Sequence, residues 1–227
     1  MKKLGKAVVM LGMGVLVAVL TGACATTSQP TGFLGEHAKN LQPGPEGGAK
    51  QRWLKPGVDF VKYDKLMVDS VVFYFAEDSE SKAIDPEKLK ELSDIFNQEF
   101  VQTLNAKIPV VAEPGPGVAR VRVAITNLKL NNVAVSAAST VTSVTPMGIG
   151  VNLVKRGTTG SWMGSGMTAA ELMVLDTATG DVIAVAADER AAGFTERYTE
   201  MGGVKAAFKL WAERLAQFVA DARAGKK

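Results

Sequence analysis

Cys24 is the only cysteine in the 227-residue chain, and it stands where chemistry could be done on its thiol. Met1-Lys2-Lys3-Leu4-Gly5-Lys6 opens the chain, an apolar run from Ala7 to Leu20 follows, and Thr21-Gly22-Ala23 leads to the cysteine. That is the order of a secretory signal peptide: a cationic start, an apolar middle and small residues at the cut. The run is about 14 residues, short of the roughly 20 that a bilayer span needs. The implied chemistry is acylation. Lipoprotein processing would cut after Ala23 and leave Cys24 as a lipidated first residue. Gly22 and Ala23 fit that cut; the usual leucine three places before the cysteine is replaced by Thr21, with Leu20 one place early. The alternative is ordinary cleavage after Ala23-Cys24-Ala25, an A-x-A site, which leaves a soluble periplasmic product. Several acyl chains, at about 0.8 kcal/mol per buried methylene, would hold the protein firmly. Ala25 rather than an aspartate after the cysteine implies, by analogy with Gram-negative lipoproteins, the outer membrane with the domain in the periplasm.

The other reactive side chains are scattered. One histidine, His37, makes a Ser-His-Asp triad or a multi-histidine metal site a poor fit. Glu113, Glu171, Asp176 and Asp188 could supply a carboxylate pair for hydrolysis, which needs two carboxyl groups about 5 to 9 Å apart; spacing along the chain does not bring them together. Glu171, Asp176 and Asp181 match no calcium loop of the helix-loop-helix kind, and turn chemistry around Asp176 is the commoner reading. Arg120 and Arg122 could grip an anion, against the plainer reading of a salt-bridged strand face. The glycines after 148 lack the Gly-Lys-Ser/Thr ending of a phosphate loop. The expectation is no catalytic residue, no metal and no cofactor, with Cys24 the one site residue.

Lys2, Lys3 and Lys6 lie in the signal, where no acidic residue occurs, so the formal charge of +3 falls to about zero in the mature chain. A balanced surface argues against a nucleic-acid partner. The remaining length suits one domain.

The elements that would position these residues follow a simple order. Residues 1–23 are the signal and 24–57 a lipidated N-terminus and flexible tether, rich in Gly, Pro, Gln, Ser and Thr. Its apolar spots, Phe33-Leu34 and Trp53-Leu54, read as pieces docking back on the domain, with a partner epitope as the alternative. The domain spans 58–227. Leu66 to Ala76 is a strand, apolar on both faces at Val71–Phe75, as in the centre of a sheet. Asp85-Pro86-Glu87 starts a helix by capping, with Leu89, Leu92, Phe96, Phe100 and Leu104 as its buried stripe and a stop before Pro109. Val110-Val111 is a short strand. Val118 to Leu128 alternates, with Val121, Val123 and Ile125 on one face and Arg120, Arg122 and Thr126 on the other. Asn131 to Val154 carries no charge and fits either a helix or a strand at first. Residues near 131–166 are expected to form a long, partly mobile excursion serving as a partner surface or an oligomer contact, or else a disordered insertion. Met167–Leu175 and Asp181–Asp188 form a hairpin turning at Asp176–Gly180. Val204, Phe208, Trp211, Leu215, Phe218 and Ala222 mark a final helix anchored by Trp211.

Thr31-Gly32-Phe33-Leu34-Gly35 and Leu41-Gln42-Pro43-Gly44 resemble the opening of a family of small bacterial lipoproteins catalogued as domain of unknown function 3313. Tyr63-Asp64-Lys65, Glu113-Pro114-Gly115-Pro116-Gly117 before Arg120–Ala124, Leu175-Asp176 with Thr179-Gly180, and Trp211-Ala212 continue the likeness to about Phe218. The order of these segments carries it. The resemblance implies an envelope address and a fold, and no reaction.

The predicted fold is α+β: a mixed, mainly antiparallel sheet of about five strands with two long helices on one face, the first two strands running parallel through a right-handed crossover. The open face would keep apolar residues from Val71–Phe75 and Leu172–Leu175, which the excursion, the tether or another chain must cover. The functional expectation is a lipid-anchored cell-envelope protein acting without catalysis, through an envelope protein partner or homo-oligomer. The alternative is a periplasmic carrier of a small molecule or lipid, and a carboxylate hydrolase ranks last.

Overall fold

The computed structural model describes residues 31–75, 81, 84–142 and 161–225, with side chains to Ser139 in the third of these stretches. The signal segment, Cys24, Ala25 and residues 143–160, which hold the second half of the uncharged run and the middle of the expected excursion, lie outside the described residues.

Among the described residues seven strands form one sheet: β1 (Gln42–Pro43), β2 (Gln51–Leu54), β3 (Lys65–Val68), β4 (Val72–Phe73), β5 (Val118–Lys129), β6 (Met167–Asp176) and β7 (Val182–Ala191). The order is β1-β2-β7-β6-β5-β3, with β4 also pairing on β5. All neighbours are antiparallel except β3 and β4, which run parallel to β5. This is the expected α+β class, with two more strands than the pattern suggested.

The helices form where local chemistry dictates. The Asp85 carboxylate accepts the Glu87 amide at 2.8 Å and Pro86 opens α1 (Pro86–Phe96), a satisfied N-terminus. The helix continues through a π turn, Asn97–Val101, into α2 (Gln102–Asn105). Leu92, Phe96, Phe100 and Leu104 are fully buried, and Phe96 stacks on Phe100 at 4.7 Å. A short α3 (Val133–Thr142) follows β5, and the long α4 (Gly202–Arg223) ends the fold. Phe208 of α4 meets Phe96 edge-on at 5.4 Å. Both long helical stretches therefore share one face of the sheet, over Val121, Val123 and Ile125 of β5 and Ala170 and Val174 of β6.

Two expectations need correction. The strand predicted over Leu66–Ala76 does not lie central and covered on both faces. It is a broken edge, β3 and β4, beside β5. Asp69 stands at the break: its amide makes the last ladder bond of β3, to the Val121 carbonyl at 2.9 Å, and its carboxylate takes Arg120 at 2.8 and 2.9 Å. Val110 adds a single parallel bridge to Leu66 on the outer side, so the parallel direction expected of these two segments is present.

The second correction concerns the tether. From Thr31 onward it is folded, with a 3-10 helix at Gly35–Asn40, β1 and β2. Glycine and proline density reports local propensity, and here tertiary burial outweighs it. Leu34 is fully buried on the back of the sheet with Met173 and Val185, and Phe33, Ala38, Leu41 and Trp53 pack around them. An exposed apolar face of that kind demands cover. Residues 31–41 supply it as a strap, so the docked reading of Phe33-Leu34 and Trp53-Leu54 is the one observed.

Candidate ligand cavity under the C-terminal helix

Strand alternation decides which side chains line the space between α4 and the sheet. β2 pairs with β7 so that Arg52 stands opposite Ala186 and Leu54 opposite Ala184. β6 sets Leu172 against Ala186 and Val174 against Ala184. These six positions point to the helix face, because successive residues of a strand alternate sides. Two of them are alanines. The side chains they lack leave an apolar cavity of about 130 Å³ beneath Trp211, Leu215 and Phe218 of α4. That is on the order of the ~150 Å³ that admits a benzene-sized guest.

The cavity opens beside Gly48 and Ala49 into a broad groove of about 950 Å³ between the β1–β2 turn and α4, which shares Arg52, Leu54, Arg214 and Phe218 with it. The mouth is polar on one side only. Asp188, 9% exposed, accepts Trp211 Nε1 at 2.8 Å and Arg214 Nη1 on Oδ2, and the Lys50 amide at 3.2 Å on Oδ1. This cluster ties β7, α4 and the entry to β2 together. The Arg214 Nε is buried without a hydrogen-bond partner among the described residues. Arg52 lines the cavity and the groove, and among the described residues its guanidinium makes no ion pair or hydrogen bond. An unpaired guanidinium at the lip of an apolar pocket suits a carboxylate or phosphate on a ligand whose other end is apolar.

The remaining predicted residues are dispersed. Glu171 lies on the opposite face, 2% exposed, accepting the Thr31 amide at 2.7 Å and the Thr31 hydroxyl at 3.3 Å. Burial pushes its carboxyl above the ordinary 4.5, against the opposing pull of the Thr31 and Leu34 amides. Asp176 serves the hairpin turn, its Oδ1 taking the Ala178 and Thr179 amides and its Oδ2 taking Tyr63 and Lys62, each at 2.7 Å. Those partners, Lys62 first, hold its carboxyl well below the usual range. Gly180 closes the turn at φ 76°, as predicted. Asp181 pairs with Lys55 and Glu113 lies in a loop; of the four candidate carboxylates, Asp188 alone lines the cavity or the groove. Among the described residues no cluster of His, Asp and Glu could hold a metal. Arg120 and Arg122 both turn to Asp69, the salt-bridged reading. His37 stacks on Trp53 at 5.7 Å.

Arg52 and Arg214 were not singled out from the sequence. The one signal for Arg52 is its place two residues before Leu54, a strand alternation hidden in a glycine-rich stretch. Arg214 stands three residues after Trp211 and so on the same side of the helix.

A family model described as "Protein of unknown function (DUF3313)" matches residues 29–215. No curated protein matches the chain. Among solved structures the chain is similar to the PelC dodecamer from Paraburkholderia phytofirmans in two crystal forms. Both show 14% identity and 73% cover of this chain; they cover 92% and 94% of PelC, with TM-scores of 0.39 and 0.38. It is also similar to the hypothetical protein CT253 from Chlamydia trachomatis, at 11% identity, 69% and 98% cover and a TM-score of 0.38.

Proposed function

The chain belongs to the DUF3313 family, and from that premise we propose that it is a lipid-anchored cell-envelope protein that binds an amphipathic anion without catalysing a reaction. The anchor is Cys24, and the address is the periplasmic side of the outer membrane, on the reading of the first 25 residues given above. The observation that supports binding is the unpaired Arg52 guanidinium at the lip of the apolar cavity. A short acyl or aryl group would occupy the space between Ala184, Ala186 and Trp211, and its acid group would meet Arg52 and the free Nε of Arg214. The scattered carboxylates support a role in binding rather than hydrolysis.

Native mass spectrometry of the protein purified from envelope, followed by titration with decanoate, tests this. The expected result is a co-purified acid, or decanoate binding that is lost in Arg52→Ala and in the cavity-filling Ala186→Phe. A protein that arrives empty and binds decanoate no better than the filled variant would overturn it.

Contact with an envelope protein or a second copy is the other reading. It is favoured by β4, which among the described residues pairs with β5 alone and leaves Val72 41% and Tyr74 46% exposed at the sheet edge. An open edge of that kind accepts an added strand.

A further inference from the structure

The cavity under α4 does not end in a solid wall. Beyond it lies a second, smaller void of about 20 Å³, bordered by Phe60, Tyr63, Ala119, Ile183 and Ala222. Val174, Ala184, Leu215 and Phe218 border both spaces. Two of them come from the sheet and two from the helix, so together they form a neck. The void has a local cause. Val174 pairs with Ala184 while Leu175 pairs with Val182, which leaves Ile183 as an extra residue in β7. A bulge of this kind breaks the alternation of the strand, and Ile183 and Ala184 both border the space under α4. The small side chains of Ala119, Ala184 and Ala222 then leave room between the layers. The lining is apolar apart from Tyr63, whose hydroxyl donates to Asp176 at 2.7 Å. Such a space stays dry, and lining atoms with no partner across the gap forfeit dispersion energy. An apolar chain that entered would restore those contacts.

Phe218 stands at the junction, bordering the cavity, the second void and the outer groove. It meets Phe60 edge-on at 5.4 Å, which holds it at the neck. Trp211, whose indole bonds Asp188 at the mouth, lies about 10 Å from it along the helix, at 1.5 Å per residue. We infer that the apolar part of the ligand is a single unbranched alkyl chain, and that Phe218 sets the length of chain accepted. The inference rests on the proposed binding of an amphipathic anion and narrows the class of that ligand. Both Trp211 and Phe218 line the cavity. A space of about 130 Å³ drawn out between them is narrow, which suits one linear chain better than a fused ring system. With the acid group at Arg52, each methylene that enters tightens binding about fourfold, until the tail meets Phe218. Further methylenes must turn back toward the groove, where water still reaches them, and add little.

The test is calorimetric titration of the protein purified from envelope and held in vesicles of phosphatidylethanolamine and phosphatidylglycerol. The cavity-filling Ala186→Phe serves as the blank for partition into lipid. Two series of matched chain length are used: straight-chain carboxylic acids, and the alcohols that carry the same tails without the charge. Affinity in both should rise about fourfold per methylene and then level off at one length. Phe218→Ala should carry the fourfold steps beyond that length. Adding Ala222→Leu refills the second void and should bring the limit back. Phe218→Trp should stop the steps earlier, and it decides the matter if thermal melts show that Phe218→Ala does not fold. A limit that ignores residue 218 overturns the inference, as do steps that never level off or an absence of binding in both series. The anion reading is separated by comparing the series. Acids that bind no tighter than alcohols of the same length remove the role of Arg52, and the limit in the alcohols still decides that of Phe218.

Discussion

The two faces of the sheet are covered by different means. On one, α1 and α4 bring long apolar stripes, and Phe96, Phe100, Phe208 and Trp211 interlock over β5 and β6. On the other, residues 31–41 form a strap with one fully buried side chain of its own, Leu34, held by the hydrogen bonds of Glu171. A helix can bury a whole stripe because its period repeats. An irregular segment cannot, so a polar handle fixes its register while a few apolar contacts supply its stability. The same strand feeds both arrangements: Ala170, Leu172 and Val174 face the helices, and Glu171, Met173 and Leu175 face the strap. The strap should therefore be the weaker unit, opening locally while the helix face stays closed.

The largest effect that bears on this contrast is Phe208→Ala. It empties the centre of the helix face and should cost about 3–5 kcal/mol, seen as a shift of the whole denaturant transition. Leu34→Ala should cost about 2 kcal/mol, the low end for a buried leucine, because the strap can settle into the gap. Hydrogen exchange in that variant should speed up at residues 33–41 and leave the amides of β5 unchanged. Global unfolding with equal loss in both variants would erase the distinction between the faces.

Asp188→Ala should cost about 1–3 kcal/mol by orphaning the Trp211 and Arg214 donors, and Asp188→Asn less, since the amide oxygen still accepts one of them. Thermal melts of the pair give the difference. Retention of full stability in Asp188→Ala would mean that this cluster does not hold β7 to α4.

The smallest effect is the most specific to the strap. Glu171 has its folded pKa raised by burial, so the folded state binds the proton more tightly than the unfolded one. Its contribution is then fully present below about pH 4.5 and is lost as pH rises through the raised value. The Thr31 amide resonance should titrate in that window, and Glu171→Gln should flatten it. A flat profile in the parent protein would mean that this carboxyl is not desolvated as described.

Much of the helix face was legible before any tertiary structure. Asp85-Pro86 and the stripe from Leu89 to Leu104 are local signals, and so are Asp176–Gly180 and the four-and-three spacing from Val204 to Ala222. The cavity was not. Arg52 sits among glycines and prolines that favour coil, and β2 is only four residues long. Ala184 and Ala186 look like ordinary strand residues until α4 is laid across them. Asn131 was legible only as the start of an uncharged run; in the fold its side chain bonds the Gly166 amide and the Glu196 and Thr199 carbonyls, joining three segments distant in the chain.

What the chain determined alone was each element whose partners are its near neighbours: caps, turns, helical stripes and the alternation of β5 through β7. What only the packed molecule decided was which way an ambiguous face points. Val133 and Val135 face outward because Arg197 bonds Ser139 and Gly164 crowds Ser136 on the serine side of α3, and the presumed tether is a strap because a half-covered sheet lay behind it. Periodicity is written into adjacent residues. Burial depends on what stands opposite, and that comes from remote parts of the chain.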